Sequence, residues 1–258
     1  YRIAGGREHW WCFHAQEGEF TTNGLSLTVQ PGGTLAGPDV PYGDPKWLEA
    51  NGCQLGSYGW SGPMFGFAHL YNVERGRPLP LTPNPSPTRG EGEGIWSADW
   101  ALKGADGLHL RLTVPSAEGA EVVICDGKSP AGGSPYEMKW ILLHHPSVTS
   151  PPAPPLEGSG DQRGGEESNA SVQTQVLSII EPYVNTPFIQ EVLPLKPSGD
   201  DEAGFASLGC VLRMADRTDT VLVSAEPHVE RTVEGGLRFA GRFGLYAEHE
   251  GVPVAMVL

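Results

Sequence analysis

The sequence predicts an all-β fold, a large antiparallel β-sandwich with two disordered Pro/Gly-rich loop insertions, and three observations carry that expectation. Apolar and polar residues alternate at every second position through several short runs. Turn residues punctuate those runs, since the 258 residues include 35 Gly and 24 Pro, more than a helical protein uses. Only one short stretch carries helix signals, so the crossover helices that parallel strands require are missing and the sheets must pair antiparallel and pack face to face.

In chain order, Tyr1 to Ala4 is short and β-prone, Gly5-Gly6 supplies the positive φ of a tight turn, and residues 7–14 run on through Trp10, Trp11 and Phe13. This opening reads as a hairpin whose first strand is cut short, with no initiator Met or secretory leader before it, so the chain reads as a fragment. A strand is expected at 25–29. Asp44 as N-cap, Pro45 at the first helical position and Gly52 as a stop mark a helical turn. A strand follows at 65–73.

The clearest period lies at 107–114, where Leu108, Leu110, Leu112 and Val114 point one way and His109, Arg111 and Thr113 the other. Residues 95–102 repeat it with Trp96, Ala98, Trp100 and Leu102, and Lys103-Gly104-Ala105-Asp106 joins the two as a hairpin. Further strands are expected at 121–125, 136–144, 172–180, 189–193, 206–214, 218–224, 229–233, 237–248 and 252–257. Turn signals stand at Asp126-Gly127, Ala215-Asp216-Arg217, Glu234-Gly235-Gly236 and Glu250-Gly251.

Residues 81–94 and 149–169 contain almost nothing that could be buried and read as disordered insertions within a single domain spanning 1–258. Both look like peptides translated from repeat DNA. The first overlaps RPLPLTP at 77–83, a short proline-rich pattern, and Asn169-Ala170-Ser171 is formally a glycosylation sequon.

A formal charge of -14 repels nucleic acid and anionic membranes, and no basic run offsets it. No apolar stretch reaches the roughly 18 to 20 residues that span a bilayer. Neither nucleic acid nor membrane is therefore an expected partner. Cys12, Cys53, Cys125 and Cys210 show no CxxC pair or metal-ligand spacing, and Cys125 and Cys210 sit in apolar strand-like runs as small buried residues. Whether any are paired is left open.

Four blocks taken in order carry a family resemblance: YRIAGGREHWWCFHAQEG, FGFAHLYNVERGR, VLSIIEPYVNTPFIQEVLPL, and RTDTVLVSAEP with LRFAGRFGLY. Together they resemble the C-terminal β-sandwich of heparinase II/III-like polysaccharide lyases. The resemblance implies a helical toroid preceding this domain, an acidic polysaccharide as substrate, and a periplasmic or secreted location, a cytoplasmic one staying open. It also implies β-elimination, in which a base removes the C5 proton of a uronic acid and an acid protonates the leaving oxygen. The family's catalytic Tyr, His and Asn belong to the toroid, and its metal ligands precede the segment matched by Tyr1. No catalytic or metal residue is carried over, although zinc or calcium in a full-length protein is compatible with the family.

Five residues are candidates for a glycan-facing surface. Alternation puts Trp10, Cys12 and His14 on one face of the first full strand and His9, Trp11 and Phe13 on the other; His14 closes the first block, Trp11 is the candidate on the opposite face, and Trp60 and Tyr71 offer ring faces that suit the CH-rich faces of pyranoses. Arg75 could pair with a uronate carboxylate through its planar fork, with Arg77 beside it. Each has a structural alternative in backbone bonding, core packing or solvation. Glu181-Pro182-Tyr183 reads as a strand end, with Tyr183 capping the sandwich edge. The expected role is a non-catalytic wall of a lyase cleft; the alternatives are a carbohydrate-binding module and a structural remnant of a decayed gene.

Overall fold

The computed structural model describes residues 1–57, 59–79, 94–117, 119–129, 135–146, 172–198, 205–233 and 235–257. The insertions 81–94 and 149–169 lie outside the described residues, Gly94 apart, as do most of the proline-rich pattern and the sequon.

The chain opens with β1 (Arg2–Ala4), β2 (His9–His14), β3 (Gly18–Asn23) and β4 (Leu25–Val29). A covering segment follows, holding α1 (Pro45–Ala50), β5 (Gln54–Gly56), β6 (Gly59–Ser61) and a 3₁₀ turn (Phe65–His69). Next come β7 (Tyr71–Pro78), β8 (Trp96–Leu102), β9 (Leu108–Ser116), β10 (Glu121–Lys128) and β11 (Glu137–His145). After β12 (Gln173–Gln175), β13 (Leu177–Val184) and β14 (Glu191–Leu195) come β15 (Leu208–Arg213) and β16 (Arg217–Val223). The last strands are β17 (Arg231–Thr232), β18 (Arg238–Phe239), β19 (Phe243–His249) and β20 (Val252–Val257).

Among the described residues every strand pairing is antiparallel, and three sheets dominate: β2-β11-β10-β7-β4, β13-β9-β8-β3 and β14-β15-β16-β19-β20. The first two form the sandwich. Trp96, Ala98 and Trp100 of β8 and Leu112 and Val114 of β9 meet Val122 and Ile124 of β10 and Ile141 and Leu143 of β11, all buried. The two-residue period does this directly, because successive strand side chains alternate between faces. The third sheet buries Leu222 against Val233 and Phe239 of the β17–β18 hairpin.

The expected helical turn forms. Asp44 Oδ1 accepts from the Trp47 N–H at 3.0 Å, Pro45 starts the helix, and Leu48 is buried beneath it. The β8–β9 hairpin, with β4 and β20, also stands where the pattern put it.

Four expectations need correction. Residues 1–14 are not a hairpin, because β1 pairs with β12 and β2 with β11. Gly5 and Gly6 do take positive φ, 103° and 72°, but the Gly5 N–H donates to the Val172 carbonyl, so the turn hands the chain from one sheet to another. Residues 65–69 coil instead of extending: Met64 is left-handed, and the 3₁₀ turn sends Phe67 to one apolar cluster and Ala68 to another. Asp126-Gly127 is no turn, for both lie within β10. Glycine is needed at 127 because a Cβ would sit 2.7 Å from Trp140 Nε1 and 2.8 Å from Leu70 Cδ2. Finally, the runs 172–180 and 237–248 each break where the chain changes partner, from β1 to β9 at Val176 and from β17 to β16 between β18 and β19. Strands β3, β5 and β6 carry too few apolar residues to signal themselves.

Candidate functional site

Alternation along β2 decides the fate of the opening segment. Trp11 and Phe13 turn inward and pack, half-buried, against the sandwich core. Trp10, Cys12 and His14 turn outward. That face is covered only in part, through Trp10 against Phe67 and the cluster of Leu35, Leu70 and Val123, while Cys12 and His14 are exposed. His14 rests its ring on Trp140, with centroids 4.2 Å apart, and its Nδ1 lies 3.3 Å from the Ala15 carbonyl.

The outer face of the five-stranded sheet has two polar ends. At one, Arg75 Nη1 donates to Glu121 at 3.0 Å, so the fork expected to reach a uronate is already held by the protein's own carboxylate. His144 lies between Glu121 at 3.3 Å and Glu8 at 3.0 Å, and its ring stacks on Trp10 at 3.8 Å with the planes 8° apart.

Tyr71 occupies the other end. A register shift between Ile124 and Asp126, with Asn72 at φ 50°, bends β7 locally and re-aims its first residues. Asn72 Nδ2 fastens the bend by donating to Asp126 at 2.8 Å. The Tyr71 hydroxyl donates to Glu137 at 2.5 Å; burial and this bond hold its phenol well above the usual tyrosine range. Tyr42 packs edge-on against Tyr71 and His69, at 5.6 and 5.2 Å, and Phe65 meets His69 at 6.1 Å. Tyr42 and Phe65 are 48 % and 46 % exposed, and the Lys128 ammonium stands 5.3 Å from the Tyr42 ring centre. Trp60 lies in the same covering segment, packed with Trp47 on Leu48, Cys53 and Ala68. The result is an exposed aromatic patch with one cation at its side.

The four-stranded sheet carries a second constellation on its own outer face. Register places Asp99, Arg111 and Glu181 side by side on β8, β9 and β13, with His109 opposite Tyr183 in the next row. Asp99 takes His109 Nδ1 at 2.7 Å and the Tyr183 hydroxyl at 2.6 Å, and the two rings stack at 4.7 Å. Buried Glu181 accepts from Arg111 at 2.9 and 2.5 Å and from the N–H groups of Phe188 and Ile189 at 2.8 Å each. Arg111 also donates to the Ile189 carbonyl at 2.7 Å. Tyr183 is thus a member of a face-spanning network, not a simple edge cap. Its phenol is pushed up to about 12 by burial and by the bond to Asp99, which unsuits it for proton abstraction at neutral pH. Sequence reading passed over Asp99, His109 and Arg111 as the solvent side of two strands. The available signal was the polar series at every second position, three of whose members carry charge or imidazole.

No family model, curated protein or solved structure matches this chain. Its function therefore rests on the chemistry of these surfaces. Among the described residues no group of three His, Cys, Asp or Glu side chains comes together to hold a metal ion, so the zinc or calcium compatible with the resemblance finds no fitting donor set there.

Proposed function

We propose that this chain is the glycan-facing β-sandwich of a heparinase II/III-like polysaccharide lyase, shaping one wall of a cleft for an acidic polysaccharide and performing no chemistry alone. The aromatic patch of Tyr42, Phe65, His69 and Tyr71 beside Lys128 carries the reading. Ring faces receive the CH-rich faces of sugars, and an exposed ammonium answers a uronate carboxylate at short range, within a Debye length of about 8 Å that the global negative charge does not override. With Arg75 engaged by Glu121, the cation duty passes to Lys128. The antiparallel sandwich and the four sequence blocks support the family, and the raised phenol of Tyr71 supports a base supplied from elsewhere, the toroid that the resemblance implies. A periplasmic or secreted setting belongs to the same proposal.

Affinity electrophoresis tests it. The chain should be retarded in gels containing a uronate polymer, less so in gels of a neutral glucan, and Tyr42→Ala with Phe65→Ala should abolish the retardation. Equal mobility in all gels would overturn the reading. A retarded chain whose complete gene product leaves no unsaturated uronate ends would instead be a carbohydrate-binding module, the second function that the same patch favours.

A further inference from the structure

The outer face of the four-stranded sheet, on the opposite side of the sandwich from the aromatic patch, holds a pocket of about 140 Å³. Its floor is a row fixed by register. Asn23 of β3 stands opposite Ser97 of β8, and Ser97 opposite Thr113 of β9, so three polar side chains cross the sheet at the roughly 5 Å spacing of direct strand neighbours. Gln190, just before β14, closes one side, and the apolar Ile189 and Val192 flank it. Asn23 and Gln190 are exposed, Ser97 is half-buried and Thr113 is nine-tenths buried, and all four line the pocket. The Thr113 side chain is largely covered but lines the open pocket, where its hydroxyl can meet a molecule that enters.

The charges around this pocket are already matched. Arg111 is bonded to Glu181, and Glu191 lies 2.8 Å from Arg213. What remains is a set of two hydroxyls and two carboxamides, each able to donate and to accept. Such a set suits a ligand that also does both at several points and carries no charge. The volume is below the 300 Å³ or so of a drug-sized site, which limits the occupant to one small ring.

We propose that this pocket is a subsite for a single neutral, hydroxyl-rich sugar residue, separate from the aromatic patch and independent of the lyase reading. Asn23, Ser97, Thr113 and Gln190 bind its hydroxyls, and the Ile189 and Val192 side chains pack against its CH groups.

The test is an amide-resolved NMR titration of the full chain with neutral monosaccharides, with glucuronate and with glycerol. A neutral monosaccharide should give saturable shifts confined to the amides around Asn23, Ser97, Thr113 and Gln190, with glucuronate and glycerol weaker. Thr113→Val, which keeps the side-chain shape, should weaken binding about three- to tenfold, as the loss of one or two hydrogen bonds requires. Thr113→Ser should restore it. Gln190→Ala, at an exposed position, gives a second reading should the buried variant fold poorly, and Tyr42→Ala should leave this site unchanged. Absence of saturable shifts, tighter binding of glucuronate, or affinity indifferent to both Thr113→Val and Gln190→Ala would overturn the assignment.

Discussion

The Tyr183 hydroxyl of β13 donates to Asp99 Oδ2 of β8 at 2.6 Å, reaching over the intervening strand β9 while its ring stacks on His109. Burial disfavours the phenolate, and the bond to Asp99 exists only while the phenol keeps its proton. Folding therefore favours the protonated form and raises the phenol from 10 to about 12. A group whose folded value is raised gives stability that is whole below the unfolded value and lost as pH climbs through the folded one. We expect stability to fall between about pH 10 and 12, and Tyr183→Phe to remove part of that slope and about 1 kcal/mol at neutral pH. Urea unfolding at a series of pH values checks it; parallel slopes for parent and variant would reject it.

Glu181 is 2 % exposed and answers three donor groups. Removing its carboxylate strands the Arg111 guanidinium and two backbone N–H groups that fix the 188–189 turn against the sheet. Glu181→Ala should cost about 3 kcal/mol, since one half of a buried pair is left behind. The double change of Arg111 and Glu181 to Leu should cost less than Glu181→Ala alone. Urea midpoints of the parent and the two variants decide this, and a double variant that loses as much stability as Glu181→Ala, or more, would contradict it.

His145 stands opposite His9 at the end of the β11–β2 ladder and is buried, with no hydrogen-bond partner for Nε2 among the described residues. Burial, and then the neighbouring His9 and His144, holds its pKa below the ordinary 6.5. The unfolded chain thus binds the proton more readily, so stability is present above about pH 6.5 and declines as pH falls toward the folded value. His145→Leu should flatten that acid limb. Thermal melts between pH 7 and 5 are the measurement, and an unchanged slope would count against it.

The four thiols differ in reach. Cys125 and Cys210 are buried, their thiols pushed up to about 12 chiefly by burial, and buried Cys53 Sγ donates to the Pro63 carbonyl. Cys12 alone is exposed, and burial of its sulfur environment still raises its pKa. Ellman's reagent at neutral pH should titrate at most one thiol in the native chain, slowly, and all four after denaturation. Rapid reaction of two or more native thiols would refute this order.

Much of the sandwich was legible because burial on one face of a strand writes a two-residue period. Trp96-Ala98-Trp100 and Leu108 to Val114 display it, and they form the central hairpin of the four-stranded sheet. Helix α1 was legible for an equally local reason, since Asp44 and Pro45 mark its first turn and Gly52 follows its last. By contrast β3 has only Phe20 to bury, so nothing in GEFTTN announces a strand whose place is set by its partner β8.

The site residues divide in the same way. Sequence by itself determined which residues share a face of each strand, and so separated Trp11 from His14 before any fold was known. It could not determine which neighbour each face would meet. Arg75 meets Glu121, 46 residues away, and Tyr183 meets Asp99, 84 residues away. The floor of the neutral pocket joins β3, β8 and β9 through register alone. Faces are fixed by alternation of adjacent residues, a local steric matter, whereas partners are fixed by which strands pair and in what register, a choice made by the whole core at once.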